Sequence, residues 1–316
     1  MPDEPPPTSW PAGWYSDPSG TGNQRFWDGH EWTEHWSLAG TTAAAKSEHP
    51  VGWRAFWNRG GLGRVVLLTL LVAGAVVVAS VSVPSILYDR VDPYNELVTA
   101  QSVLFGLALP PVLLSVMVVV FVVSVGWFRR LFGPQPIGGR WWMWIAPALV
   151  TTTAVAVLAS NDYTLYSKSV VASLVVTAVF VGFSEELVCR GLMVELLRAS
   201  GHSEWVVMAI SSLTFALLHA LNIGGDGAVR GAVTTMLFAL PFGVCLYLTL
   251  RVTGNLIWPI VIHALWDTAG FLANGWSGEP GNALLDLAAL ATVLAVGIIG
   301  LVFVRGRVRL VATPER

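Results

Sequence analysis

From residue 62 onward the chain is a succession of long apolar runs separated by short polar stretches. The runs lie near 62–84, 97–128, 141–160, 169–197, 204–221, 229–250, 255–273 and 284–304. A helix of about 20 apolar residues crosses a hydrocarbon core of about 30 Å. No alternation of period two is sustained, so a transmembrane β-barrel is not expected. The pattern predicts an all-α, polytopic membrane bundle of about eight transmembrane helices, the third and seventh runs being the shortest.

The first sixty residues read differently. Residues 1–9 form a proline-rich polar tail, expected to be disordered. Residues 10–36 hold Trp10, Trp14, Tyr15, Phe26, Trp27, Trp32 and Trp36, with turn signals at Asp17-Pro18-Ser19-Gly20 and Asp28-Gly29. Asp28-Gly29 between two aromatic stretches suits a tight hairpin turn. The expectation is a small Trp-rich β module whose indole rings form its core. Residues 37–61 then serve as linker and juxtamembrane segment, 62–304 as the bundle, and 305–316 as a basic tail.

Composition narrows the class. The chain is 54% hydrophobic and 12% charged, against about 25% charged for average soluble domains. Such a chain has too little polar surface for a soluble protein, and nothing in it suggests nucleic-acid binding. Cys189 and Cys245 both fall inside apolar runs and are expected to be small buried side chains rather than a disulfide. No apolar signal-peptide region precedes the first run.

The basic residues set an orientation. Arg54, Arg59 and Arg64, then Arg129, Arg130 and Arg140, then Arg190 and Arg198, then Arg251, then Arg305, Arg307 and Arg309 crowd alternate connections. The intervening loops hold only Arg90, Lys168 and Arg230. The positive-inside rule therefore predicts both termini in the cytoplasm, in a multi-pass protein of the cell membrane. Trp53, Trp57, Trp127, Trp141, Trp142 and Trp144 lie near the same boundaries, where interfacial anchors are expected.

An ionisable group inside a membrane helix is costly and marks function or a pair. The fourth run contains FSEELVCRGLMVELLR, with Glu185 and Glu186 adjacent and Arg190 four residues beyond Glu186. Spacing four puts Glu186 and Arg190 on one helix face, while Glu185 points about 100° away. One carboxylate is then held by Arg190 and the other is free for proton transfer. The fifth run ends with Phe215 and His219 at spacing four, and the seventh carries His263 and Asp267 at the same spacing. Measured along their helices at 1.5 Å per residue, Glu185, His219 and His263 lie roughly 18, 22 and 12 Å from the cytoplasmic ends. That range is one broad layer, in which a single site is feasible.

Simpler readings exist for each group taken alone. Glu186–Arg190 is by itself a structural ion pair, and a solitary histidine can hydrogen-bond a neighbouring helix. Glu195, Arg198, His202 and Glu204 are expected in a solvated interfacial turn. Six ionisable residues on three helices, Glu185, Glu186, Arg190, His219, His263 and Asp267, are more than a structural bundle needs.

These three motifs, Glu185-Glu186-x-x-x-Arg190, Phe215-x-x-x-His219 and His263-x-x-x-Asp267, resemble those of the CAAX prenyl protease and bacteriocin-processing family. That family includes the eukaryotic Ras-converting endopeptidases and many bacterial Abi-type proteins. The resemblance covers roughly 140–275. It implies an intramembrane endopeptidase acting on a membrane peptide or protein. Glu185 or Glu186 would activate a water, and His219 and His263 would position it or stabilise the oxyanion. The last motif position is often Asn in the prenyl proteases. Here it is Asp267, which when ionised can only accept hydrogen bonds. Residues 10–36 resemble a Trp-rich module of unknown function from actinobacterial membrane proteins.

The resemblance leaves alternatives. No cofactor is expected, but Glu185, His219 and His263 are a plausible zinc set, although HExxH is absent. A non-catalytic immunity or scaffold protein is the reading outside the enzymes. Substrate and oligomeric state are not legible.

Overall fold

The computed structural model describes residues 10–19, 24–37, 52–86, 99–221, 228–273 and 283–308. The expected tail at 1–9, residues 38–51 of the linker and juxtamembrane segment, and residues 309–316 of the basic tail lie outside them. Contacts divide the chain into a unit of residues 1–55 and a unit of residues 56–316.

In the first unit, β1 (Gly13–Ser16), β2 (Gln24–Trp27) and β3 (Trp32–Ser37) form an antiparallel sheet in the order β1-β2-β3. Asp28 closes the second hairpin: its Oδ1 accepts from the backbone N–H groups of His30 and Glu31, both at 2.7 Å, and Gly29 adopts φ 101°. Those two donors hold the Asp28 carboxyl below its usual pKa. Asp17 caps the first turn through Ser19. The indoles are only in part a core. Trp27 is buried and packs edge-on to Trp32, but Trp10 and Trp14 are exposed. A sheet this small has one face too few to cover seven rings.

The second unit contains eight apolar helices among the described residues. They are α1 (Leu62–Ile86), α2 (Ala100–Val125), α3 (Ile145–Ser160), α4 (Lys168–Ala199), α5 (Glu204–His219), α6 (Ala228–Thr253), α7 (Ile257–Ala273) and α8 (Ala283–Phe303). Five spans are long and apolar enough to cross a membrane: those in α1, α2, α4 and α6, and the third, which a 3-10 turn at Trp141–Trp144 extends to Trp141–Ser160. The short apolar helices are therefore the fifth and seventh, together with Ala289–Phe303 of the eighth, and the third is not among them. The fifth, α5, has 16 residues, starting where the Ser203 side chain accepts from Val206 N.

The bundle carries apolar side chains on its outside. Leu70, Val78, Val120 and Leu237 are each more than 60% exposed, while Glu186, Arg190 and Glu204 are buried. An apolar exterior around a charged interior suits a hydrocarbon solvent and would be unfavourable in water. The protein is a multi-pass membrane protein. Trp141 and Trp144 are exposed as anchors should be. Trp57 and Trp127 instead lie in the core, Trp57 packing against Phe121 and Trp127 donating to Asn58 Oδ1 at 2.7 Å.

Two features of the backbone shape the interior. Residues Val103–Ala108 and Leu187–Met193 form π-helical turns inside α2 and α4. The first precedes Pro110 and Pro111, which cannot donate to the helical ladder. The second immediately follows the Glu185-Glu186 pair; such turns are frequent at functional sites. In addition, α4 and α7 approach closely at Gly182, where a Cβ would sit 3.0 Å from both Ala264 N and Ile260 O. Small residues permit this kind of contact between membrane helices.

Candidate functional site

Helices α4, α5, α6 and α7 converge around Arg190, whose side chain is buried. Its Nη1 donates to Glu186 Oε1 at 2.7 Å and its Nη2 donates to the Gly243 carbonyl of α6 at 2.8 Å. The guanidinium carbon lies 4.4 Å from the centre of the Phe215 ring of α5. Arg190 thus joins three helices through an ion pair, a backbone hydrogen bond and a cation–π contact. The spacing-four pairing expected from the sequence is present even though the π-helical turn intervenes.

His263 of α7 reaches the same carboxylate. Its Nδ1 lies 3.0 Å from Glu186 Oε1. Because Glu186 also receives Arg190, it acts as an acceptor there, and Nδ1 of His263 carries the hydrogen. His219 is oriented by comparable logic: its Nδ1 is 2.9 Å from the Phe215 carbonyl, which can only accept. Both rings therefore direct Nε2 away from their anchors. They are wedged by aromatic neighbours, His219 against Phe215 at 4.4 Å and His263 edge-on to Phe242 at 5.5 Å.

The two Nε2 atoms point at Glu185. Its Oε2 lies 3.7 Å from His219 Nε2 and 3.9 Å from His263 Nε2. That oxygen is buried and accepts no hydrogen bond from any described residue. Asp267 faces the same nitrogen of His263, with Oδ2 3.5 Å from Nε2. The side chains of Glu185, His219 and Asp267 keep 25%, 21% and 18% of their exposure, whereas Glu186 and His263 keep 0% and 2%. The six candidate residues thus form one constellation, with Glu186, Arg190 and His263 as its buried support and Glu185, His219 and Asp267 at its accessible side.

Phe242 and Gly243 were not foreseen, because they lie on a helix without charges near its middle. Trp266 was detectable, since it stands three residues after His263. It packs on Phe242 at 5.1 Å and stacks on Phe238 at 5.9 Å. Trp266 and Phe238 line a largely apolar cavity of about 840 Å³ between α3, α6, α7 and α8. The interfacial turn expected at 195–204 is also different. Arg198 and Glu204 are buried and pair through two hydrogen bonds of 2.8 and 2.7 Å, and Glu204 also meets Arg251 at 3.1 Å and the Tyr247 hydroxyl. Arg251 and Tyr247 come from α6, too distant in sequence for the local pattern to reveal.

As for a metal, among the described residues no group of three or more His, Cys, Asp or Glu is arranged to hold one.

Residues 167–269 match the family model of the type II CAAX prenyl endopeptidases, Rce1-like. This part of the chain is Rce1-like. The match begins at the N-cap of α4 and ends two residues beyond Asp267, so it takes in all six site residues. Over that stretch the chain is similar to the CAAX-type endopeptidases. Residues 12–45 match a family of unknown function, DUF2510. No curated protein and no solved structure matches the chain.

Proposed function

We propose that this Rce1-like protein hydrolyses peptide bonds of membrane-associated peptides or proteins, with Glu185 as the general base that activates water. The observation that carries this reading is the position of Glu185 Oε2, unpaired between the Nε2 atoms of His219 and His263. In their neutral forms both imidazoles present a lone pair there. Two lone pairs facing a carboxylate oxygen call for a proton donor between them. A water about 2.8 Å from each atom bridges separations of this size.

The reaction is then a simple balance. Glu185 takes a proton from water as the water oxygen attacks the carbonyl carbon. An imidazole that enters the cycle already protonated at Nε2 donates to the resulting oxyanion and keeps that proton throughout. Glu185 returns its proton to the leaving amine as the C–N bond breaks, giving one carboxylic acid and one amine. Glu186 is the less suitable base, because its side chain is fully buried and its Oε1 already accepts from Arg190 and from the His263 N–H. Asp267 is placed to orient His263 or to stabilise its imidazolium. No metal is needed in this scheme. The arginine distribution supports a cytoplasmic position for both termini.

Cleavage of a membrane-peptide library by the purified protein tests the proposal. Glu185→Gln keeps the size of the side chain and removes its basicity, so cleavage should fall about 10²-fold or more with folding intact. Full cleavage by both Glu185→Gln and Glu186→Gln would sink the assignment.

A further inference from the structure

A second groove shares no lining residue with the cavity at Trp266 and Phe238. It has a volume of about 730 Å³ and runs between the start of α3 and the end of α8. Its walls are apolar: Ile145 and Ala148 on one side, Ile299 and Phe303 on the other, with Trp141 and Trp144 at its end. Arg140 is the single charged residue lining it.

The cationic mouth is held in place from behind. Arg251, buried and paired with Glu204, donates through Nη2 to the Gly138 carbonyl at 2.8 Å. Gly139 lies so close to α6 that a Cβ there would sit 2.6 Å from the Cα of Val252. The backbone leading into Arg140 is thereby fixed on the end of α6. The Arg140 side chain remains exposed, and no described carboxylate forms an ion pair with it. Trp141 is 85% exposed beside it, as an indole at the headgroup level should be.

We infer that this groove binds one anionic phospholipid, its phosphate on Arg140 and an acyl chain laid between α3 and α8. The chemistry is complementary at both ends. A phosphate meets an exposed guanidinium with no ion-pair partner among the described residues, and a hydrocarbon chain meets an apolar channel. From Trp141 to Ala148 the channel descends roughly 10 Å at 1.5 Å per residue, about a third of the hydrocarbon core. A soluble anion would gain the first contact alone. A zwitterionic lipid brings its own cation to the phosphate and gains less from Arg140.

Native mass spectrometry of the full chain, exchanged into an equal mixture of dioleoyl phosphatidylglycerol and dioleoyl phosphatidylcholine, tests this. One phosphatidylglycerol should survive activation that strips phosphatidylcholine. Arg140→Gln should reduce that retention at least about fivefold, the order expected for one basic residue at a membrane surface. Arg129→Gln, an exposed arginine away from the groove, should not. Ala148→Trp fills the channel at an exposed position and should also release the lipid with Arg140 intact. Glycerol phosphate in excess should not displace it. Equal retention of the two lipids, or unchanged phosphatidylglycerol retention in Arg140→Gln or Ala148→Trp, overturns the inference. So does displacement by glycerol phosphate, which would reduce the site to a simple anion contact.

Discussion

Glu185 and Glu186 are neighbours in the chain with opposite surroundings. Glu186 is buried, with Oε1 2.7 Å from Arg190 and 3.0 Å from His263. Glu185 is partly exposed, with Oε2 unpaired between two imidazoles. The approximately 100° between successive residues of a helix is enough to separate them. One carboxylate builds the site and the other is left available for chemistry.

The supporting half should matter to stability. Removing one partner of a buried ion pair leaves an uncompensated charge and costs about 3–5 kcal/mol. Arg190→Ala strands Glu186, frees the Gly243 carbonyl and removes the contact with Phe215. It should lower both the yield and the detergent melting temperature, as well as activity. Glu185→Gln should leave the melting temperature unchanged. Normal stability in Arg190→Ala would show that the clamp is dispensable.

Helix approach should matter to geometry. Gly182 lets α4 lie against α7 one turn before Glu185, and Ala264 on the facing helix adjoins His263. A Cβ at 3.0 Å from two backbone atoms must push the helices apart by a few tenths of an ångström. Gly182→Ala should therefore reduce the rate of cleavage several-fold while the affinity for substrate changes little. Gly182→Val, with a branched side chain, should do so more severely. Kinetic constants measured for the two variants on one peptide check this; unchanged rates for both would mean that the α4–α7 spacing does not control the site.

A different outcome is expected at the other buried cluster. Glu204 receives Arg198, Arg251 and Tyr247, and none of these touches the six site residues among the interactions described. Glu204→Ala leaves two arginines buried without a counter-charge and should destabilise by about 3 kcal/mol or more. The folded fraction should keep its specific activity. Thermal unfolding followed alongside cleavage per folded molecule separates the two effects; loss of specific activity in properly folded protein would tie this cluster to catalysis.

Much of the site was legible because membrane helices are chemically monotonous. Against runs of Val, Leu and Ala, Glu185, Glu186, Arg190, His219, His263 and Asp267 stand out, and spacing four assigns each pair to one face. The helix boundaries followed from hydropathy for the same reason. What stayed hidden depended on contacts between distant segments. The carbonyl of Gly243 and the ring of Phe242 carry no signal in the uncharged middle of α6. The burial of Arg198 and Glu204 could not be foreseen, because their partners Tyr247 and Arg251 lie more than forty residues away. The π-helical turn at Leu187–Met193 replaces ordinary helix in a stretch whose composition does not distinguish the two.

The last prediction concerns metal dependence. Zinc bonds to nitrogen and oxygen are about 2.0–2.1 Å long, so tetrahedral ligands lie roughly 3.3 Å apart. Glu185 Oε2 stands 3.7 Å from one Nε2 and 3.9 Å from the other. Both separations would have to contract to hold the ion, whereas a hydrogen-bonded water spans them as they are. Glu186 on His263 Nδ1 would serve equally well to orient a metal ligand or a water-binding histidine, so the separation of the donors is the more discriminating observation. Cleavage should therefore survive prolonged incubation with EDTA or phenanthroline, and elemental analysis should find well under one zinc per chain. Inactivation by both chelators, reversed by stoichiometric zinc, with bound zinc lost from His219→Ala, would instead make Glu185, His219 and His263 ligands and transfer water activation from the carboxylate to the metal.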